Sequence, residues 1–301
     1  MDGRAPRTER RLRYDPAVLL LVDLDGVVYR GADPVAGVAE VLADRAAGGD
    51  AIVYVTNNSM HYRADYVTRL SAMGAPVSAD RIVSSARATA LYLQDEAPEV
   101  RRVLVVGAGG LERELSDVGL DVVTSAHAAT RASQEPIDGF EAAGRPDAVV
   151  VGLDPQLTYL RLAVAADAIR AGSRFVATNR DPVYPTERGL RPGAGSIVAA
   201  LEASTGITPL SIGKPAPLLL EEAARAGGGH AKDAVMIGDS LVTDVAAARA
   251  VGARSIFMLT GVTGQKELDA LADGDRPTEV AGDAAGLAAA LDRLSARERS
   301  G

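Results

Sequence analysis

Eight short apolar runs, most of them ending at a glycine or a small polar residue, constrain this chain more than any other feature. They are AVLLLVD (17–23), AIVYVTNN (51–58), RIVSS (81–85), VLVVG (103–107), AVVVG (148–152), FVATN (175–179), VMIGD (235–239) and SIFML (255–259). Between most of them apolar residues recur at helical spacing, as from Val35 to Ala46 and from Ile197 to Ala203. Strands alternating with helices imply parallel sheets, because a parallel crossover normally needs a helix to return the chain. Runs that are apolar throughout, such as AVLLLV, suit strands covered on both faces, so the pattern predicts an α/β architecture. Eight strands are many for one uninterrupted sheet, which leaves room for a second sheet in the middle of the chain.

In open α/β sheets, ligands bind outside the carboxyl ends of the strands. The rule selects Asp23 and Asp25, then Thr56, Asn57 and Asn58, then Asp239. In Asp23-Leu24-Asp25-Gly26, two carboxylates two residues apart both reach a site above the sheet once the chain leaves extended geometry, and Gly26 permits a sharp exit. One carboxylate can attack phosphorus and the other can act as general acid and then base. A turn with a capping aspartate also explains an isolated motif of this kind.

Thr56-Asn57-Asn58-Ser59 offers donors to an anion at a helix start, although alone it also reads as an ordinary N-cap. Lys214, in Gly213-Lys214-Pro215, would neutralise phosphoryl oxygens and clustered carboxylates in such a site. Asp239 opens Asp239-Ser240-Leu241-Val242-Thr243-Asp244, and magnesium takes hard oxygen ligands of this kind. An acidic cluster without a cation would repel phosphate, so the proposed chemistry requires a metal.

Other chemistries find no support. Glu112 stands where a dinucleotide fingerprint starting at Gly107 needs its third glycine, and Arg191-Pro192-Gly193-Ala194-Gly195-Ser196 lacks a P-loop ending and reads better as a glycine-rich helix entry. No G-x-S-x-G occurs. The chain has no cysteine, which excludes thiolate and disulfide chemistry and fits a cytoplasmic protein, and His61, His127 and His230 share no metal-ligand spacing. With 32 basic against 40 acidic residues, a net charge of −8 and no basic face, nucleic acid is not an expected partner. No apolar run reaches membrane length, and the opening MDGRAPRTERRLRYDP reads as a frayed basic tail.

Taken in order, DLDGVVYRG, VTNNS, GKP and GDSLVTD resemble the four motifs of the haloacid dehalogenase superfamily. The middle segment ATNRDPVYPTERGLRPGAGSIVAALE is similar to the subfamily with a large α/β cap, which includes NagD-like, pyridoxal, phosphoglycolate and glycerol-3-phosphate phosphatases. The resemblance implies a Rossmann-like parallel-sheet core from residues 1–96 and 208–301, with an inserted, mobile α/β cap of the C2 type over 97–207. It implies a magnesium-dependent phosphatase acting on a small phosphorylated metabolite, with Asp23 as nucleophile and Asp25 as acid/base. Thr56, Asn57 and Asn58 would bind phosphate, and Lys214 would neutralise charge. Asp23, Asp239 and the Asp25 carbonyl would hold Mg2+, with Asp244 orienting metal-bound water or neighbouring groups.

In the cap, Asp154, Tyr159, Arg180, Asp181 and Tyr184 are candidates to face the substrate. Tyr184 stands where relatives that accept pyridoxal phosphate carry a histidine, and PTERGLRPG is most similar to the glycerol-3-phosphate enzymes. A homodimer through the cap stays open, as do two other activities: a phosphomutase, and a catalytically silent phosphate-ligand-binding protein.

Overall fold

The computed structural model describes residues 18–186, 189–261 and 263–298. The expected basic tail therefore lies outside the described residues, as do Glu187 and Arg188 of PTERGLRPG. Eleven strands form two main sheets. The first is six-stranded and parallel, in the order β15 (Glu279–Ala281), β14 (Arg254–Met258), β13 (Val235–Gly238), β1 (Leu19–Asp23), β4 (Ala51–Thr56) and β5 (Ile82–Ser84). The second is five-stranded and parallel, in the order β12 (Leu210–Ser211), β9 (Arg174–Ala177), β8 (Ala148–Val151), β6 (Arg102–Val106) and β7 (Asp121–Thr124). Two hairpins complete the set, β2 (Tyr29–Arg30) with β3 (Asp33–Pro34), and β10 (Val183–Thr186) with β11 (Gly189–Pro192).

All eight apolar runs are strands, and they fall into two sheets as their number requires. The second sheet also takes in Leu210–Ser211, just past residue 207 where the sequence placed the return to the core. The glycine-rich stretch before Ala194 is a helix entry, with Gly193 as the N-cap of Ala194–Thr205.

Side chains alternate across each strand, and the alternation explains the layers. From β1 and β4, Leu20, Val22 and Tyr54 face a cluster closed by Leu42, Leu70 and Leu291 of flanking helices. Leu21, Val53 and Val55 face the opposite cluster, which contains Leu93 of helix Ser85–Glu96 and Leu219 of helix Leu218–Gly227. That cluster continues into the second sheet through Val103, Val105, Val150 and Val176. The other face of the second sheet, with Leu104, Val149 and Phe175, packs on its own helices. The two sheets thus share one apolar layer. Large swinging of the inserted unit would expose it, which restricts the mobility expected of a cap.

Candidate active site

Strands β13, β1 and β4 are neighbours and parallel, so their carboxyl ends point to one side. Asp23 is the last residue of β1 and Thr56 the last of β4, while Asp239 follows β13 directly. Adjacent strands lie about 4.8 Å apart, which brings these side chains together without help from any loop. Strand order reverses about β1, so the site occupies the crevice where such sheets bind ligands.

Asp23 is buried, and Lys214 Nζ binds its Oδ1. The lysine comes from the second sheet: Ile212 and Gly213 donate their N–H groups to Ala177 O and Thr178 O at 3.0 and 2.7 Å, and Lys214 follows. Its ammonium also stands 2.6 Å from Asp244 Oδ1. Asp244 Oδ2 accepts the N–H groups of Asp239 and Ser240 at 3.1 and 3.0 Å, shaping the turn that carries Asp239. Burial lifts the Asp23 carboxyl well above its ordinary range, and Asp244 and Asp239 add repulsion against the pull of Lys214. Burial pulls the Lys214 ammonium down, but Asp23 and Asp244 outweigh it and leave the net shift upward.

Asp25 opens to the cavity from the turn after β1, where Gly26 adopts φ 83°. Crowding by the walls raises the Asp25 carboxyl, opposed by Arg69, Lys214 and His61. A carboxyl whose proton is held more tightly than usual, and which opens to the cavity, suits proton delivery to a leaving group.

The phosphate-loop residues divide. Thr56 lies at the cavity floor, its Oγ1 accepting the Asn58 N–H at 3.2 Å, and Asn58 Oδ1 in turn accepts the Met60 N–H at 2.9 Å. Asn57 also lines the cavity, but its side-chain amide is committed elsewhere. Nδ2 donates to Asp181 Oδ2 at 3.0 Å and to Lys214 O at 2.8 Å, and Oδ1 accepts the Lys214 N–H at 2.8 Å. An amide with both donors and its acceptor engaged has little left for phosphate. The side chain of Asn57 ties the loop to Lys214 and to the second sheet, which leaves its backbone N–H as the group that could meet phosphate.

The cap candidates divide as well. Asp181 and Tyr184 line the cavity, which measures about 710 Å³. Burial raises the Asp181 carboxyl, against the Asn57 hydrogen bond and Lys214. Asp154 is buried in an ion pair with Arg161 at 3.1 Å and lines a neighbouring cavity beside Tyr184. Arg180 turns outward to Glu202 at 2.6 Å, and Tyr159 is 86% exposed and lines neither cavity. Neither faces the substrate space, because each follows its own helix or ion pair away from it. Reasoning from sequence missed Arg30, His61 and Gly261, which also line the cavity. Their placement depends on how separate loops meet, and no local pattern marks them.

One oxygen from each of Asp23, Asp239 and Asp244 lies within 4.8 Å of the others, and all three residues are buried. Lys214 pairs with two of them, Asp23 and Asp244. A Cβ on Gly26 or Gly261 would run into the Asp239 carboxylate, so backbone closes around it on two sides. Hard oxygen donors from three buried carboxylates, in a tight backbone cradle, fit Mg2+.

Residues 20–121 match the family described as haloacid dehalogenase-like hydrolase, and residues 211–287 match the one described as HAD-hydrolase-like. The chain is 40% identical over 243 residues to the D-glycerol 3-phosphate phosphatase of Mycobacterium tuberculosis, covering 81% of this chain. It spans 63% of that relative's length. It is 34% identical over 249 residues to the acid sugar phosphatase of Staphylococcus saprophyticus, covering 83% of this chain and 89% of that protein. A crystal structure of the M. tuberculosis glycerol phosphate phosphatase in complex with magnesium superimposes with a TM-score of 0.76 at 37% identity, over 91% of this chain and 77% of that one. Two matched segments that carry the site's four strand-end motifs, and relatives aligned across the inserted sheet as well, lead to one assignment: this chain belongs to the haloacid dehalogenase-like hydrolase family.

Proposed function

We propose that this chain is a magnesium-dependent phosphatase that hydrolyses small polyol or sugar phosphate monoesters, with Asp23 as the nucleophile. The observation that carries the reading is a buried Asp23 carboxylate lining a large cavity, with one oxygen held by Lys214 and with Asp239 and Asp244 beside it. Relatives named for glycerol 3-phosphate and for sugar phosphates support the substrate class. The cavity walls carry Arg30, His61, Asp181 and Tyr184, polar side chains suited to a hydroxylated leaving group.

In this reading Asp23, Asp239 and the Asp25 carbonyl would hold Mg2+, which screens the carboxylates from the incoming phosphate. Thr56, the loop N–H groups and Lys214 hold the phosphoryl oxygens. The free oxygen of Asp23 attacks phosphorus, the bond from phosphorus to the ester oxygen breaks, and Asp25 gives its proton to the departing alkoxide. Asp25 then takes a proton from water as that water attacks the aspartyl phosphate. Inorganic phosphate leaves, and the Asp23 carboxylate is restored. Residues 97–207 act as the cap that supplies Asp181 and Tyr184. A homodimer through this cap would use its exposed Tyr159, Leu160 and Leu190. The net charge of −8 argues against nucleic acid, and the lack of cysteine fits the cytoplasm. No helix among the described residues is long and apolar enough to cross a membrane.

The test is Asp23→Asn. Release of inorganic phosphate from glycerol 3-phosphate should fall by at least about a thousandfold with the circular dichroism spectrum unchanged. An active, folded variant would sink the nucleophile assignment. Stoichiometric free phosphate from the wild type separates hydrolysis from a phosphomutase and from a silent binding protein.

A further inference from the structure

Between the helix Arg63–Ala72 and the helix Gly109–Asp117 of the inserted unit lies an ion cluster, built around one buried carboxylate, that the phosphatase reading leaves unused. Glu114 is fully buried. Its Oε1 accepts the backbone N–H of Arg63 at 3.2 Å, and its Oε2 binds the Arg63 guanidinium. Arg63 Nη2 also reaches Asp117 Oδ2 at 2.5 Å, where the Tyr62 hydroxyl donates at 2.7 Å. Arg87 stands 3.7 Å from Glu114 Oε2.

Arg63 is the first residue of its helix, and the first N–H groups of a helix lack partners within it. Glu114 supplies one such partner from another element, and its charge complements the helix dipole. Directly upstream runs the loop Thr56–His61. The same helix, Gly109–Asp117, holds that loop at a second point, where Gly110 N–H donates to Met60 O at 3.1 Å. A side chain at Gly110 would overlap the Met60 carbonyl and the His61 backbone, so the approach is close.

A buried ion pair is weak evidence for stability, since an apolar pair of similar volume often serves as well. What directional bonds add is geometry. Here they fall on the residue that ends the phosphate loop and starts the helix. We propose that Glu114 is a positioning residue: acting through Arg63, it fixes where helix Arg63–Ala72 begins and so the register in which Thr56–His61 meets phosphate. The inference rests on the proposed phosphatase reading of that loop. Without the Glu114 charge, Arg63 and Arg87 face each other across a buried gap, and the helix start shifts toward other acceptors.

The experiment is a calorimetric titration of the full chain with inorganic phosphate in the presence of Mg2+, alongside turnover of p-nitrophenyl phosphate. Glu114→Gln keeps the side-chain volume and an acceptor oxygen but removes the charge. Its phosphate Kd and its KM should rise together by about tenfold, with kcat changed by less than about threefold, the mark of lost uniform binding. Arg63→Met should match it, and Arg63→Lys should retain most of the affinity. Ile169→Val, buried on the far face of the second sheet, controls for a lowered Tm and should leave Kd unchanged. A rise in Kd below about threefold in Glu114→Gln, whatever its Tm, overturns the inference. If Glu114→Gln does not fold, the contrast of Arg63→Lys with Arg63→Met decides in the same way. A wild type that binds phosphate while the variants match it sinks this inference alone. A wild type that neither binds nor hydrolyses sinks the phosphatase reading with it.

Discussion

Gly261 leaves no room for a side chain beside the Asp239 carboxylate, and Gly26 leaves none on another side. In Gly261→Ala, the carboxylate has to turn out of the place where it can share an ion with Asp23. The magnesium concentration for half-maximal turnover should rise by at least about tenfold, read by titrating metal into chelator-stripped enzyme. An unchanged midpoint would mean that Asp239 does not hold the metal. Neither wild type nor variant should turn over in EDTA. Asp23, Asp25, Thr56 and Asp239 were legible in the sequence because each stands at or just past a strand end, and the strand ends of a parallel sheet converge. Gly261, Arg30 and His61 were not, since only the packing of separate loops gives them neighbours. Asn57 was legible in position, but its side-chain bonds were not, because the amide's partners, Asp181 and Lys214, lie more than 120 residues away.

The small hairpin β2–β3 shows how one element sets the place of another. Gly26 N–H donates to Tyr29 O at 2.7 Å, and Asp25 bridges to Tyr29, so the hairpin base carries the turn that presents Asp25, the proposed acid/base. Arg69, from the helix Arg63–Ala72, lies 3.3 Å over the Tyr29 ring and donates to Gly31 O. That stacked, charged contact pins the hairpin from outside. Arg69→Met keeps bulk and loses the pin. Its kcat/KM for an alkyl phosphate should fall by about tenfold, while that for p-nitrophenyl phosphate should fall by less than about threefold, because kcat/KM reports the step in which the leaving group departs and nitrophenolate departs without a proton. Equal losses on both substrates would show that the hairpin does not serve Asp25. At this scale the sequence revealed the strands with apolar runs, even β5 with its three residues, and concealed others. Strands β7, β12 and β15 hold two to four residues each and exist through pairing with a neighbour. The hairpin β10–β11 carries Pro185 and Pro192, which break any strand-like run.

Across the whole molecule, the number of apolar runs foretold two sheets, but nothing in those runs says that the sheets share a layer. Val103, Val105, Val150 and Val176 of one sheet and Leu21, Val53 and Val55 of the other belong to one buried cluster. Cooperative units follow shared burial rather than chain order. Heating should therefore produce one calorimetric transition, with calorimetric and van't Hoff enthalpies in agreement. Two resolved transitions would show that the inserted unit melts by itself. The shared layer also bears on how such proteins can be recombined. Residues 97–207 cannot be exchanged between relatives as a self-contained cassette, because the cut would run through a packed interior. A graft would have to bring along the facing residues of helices Ser85–Glu96 and Leu218–Gly227, so that the cavity wall at Asp181 and Tyr184 is changed more readily by point substitution than by trading the unit.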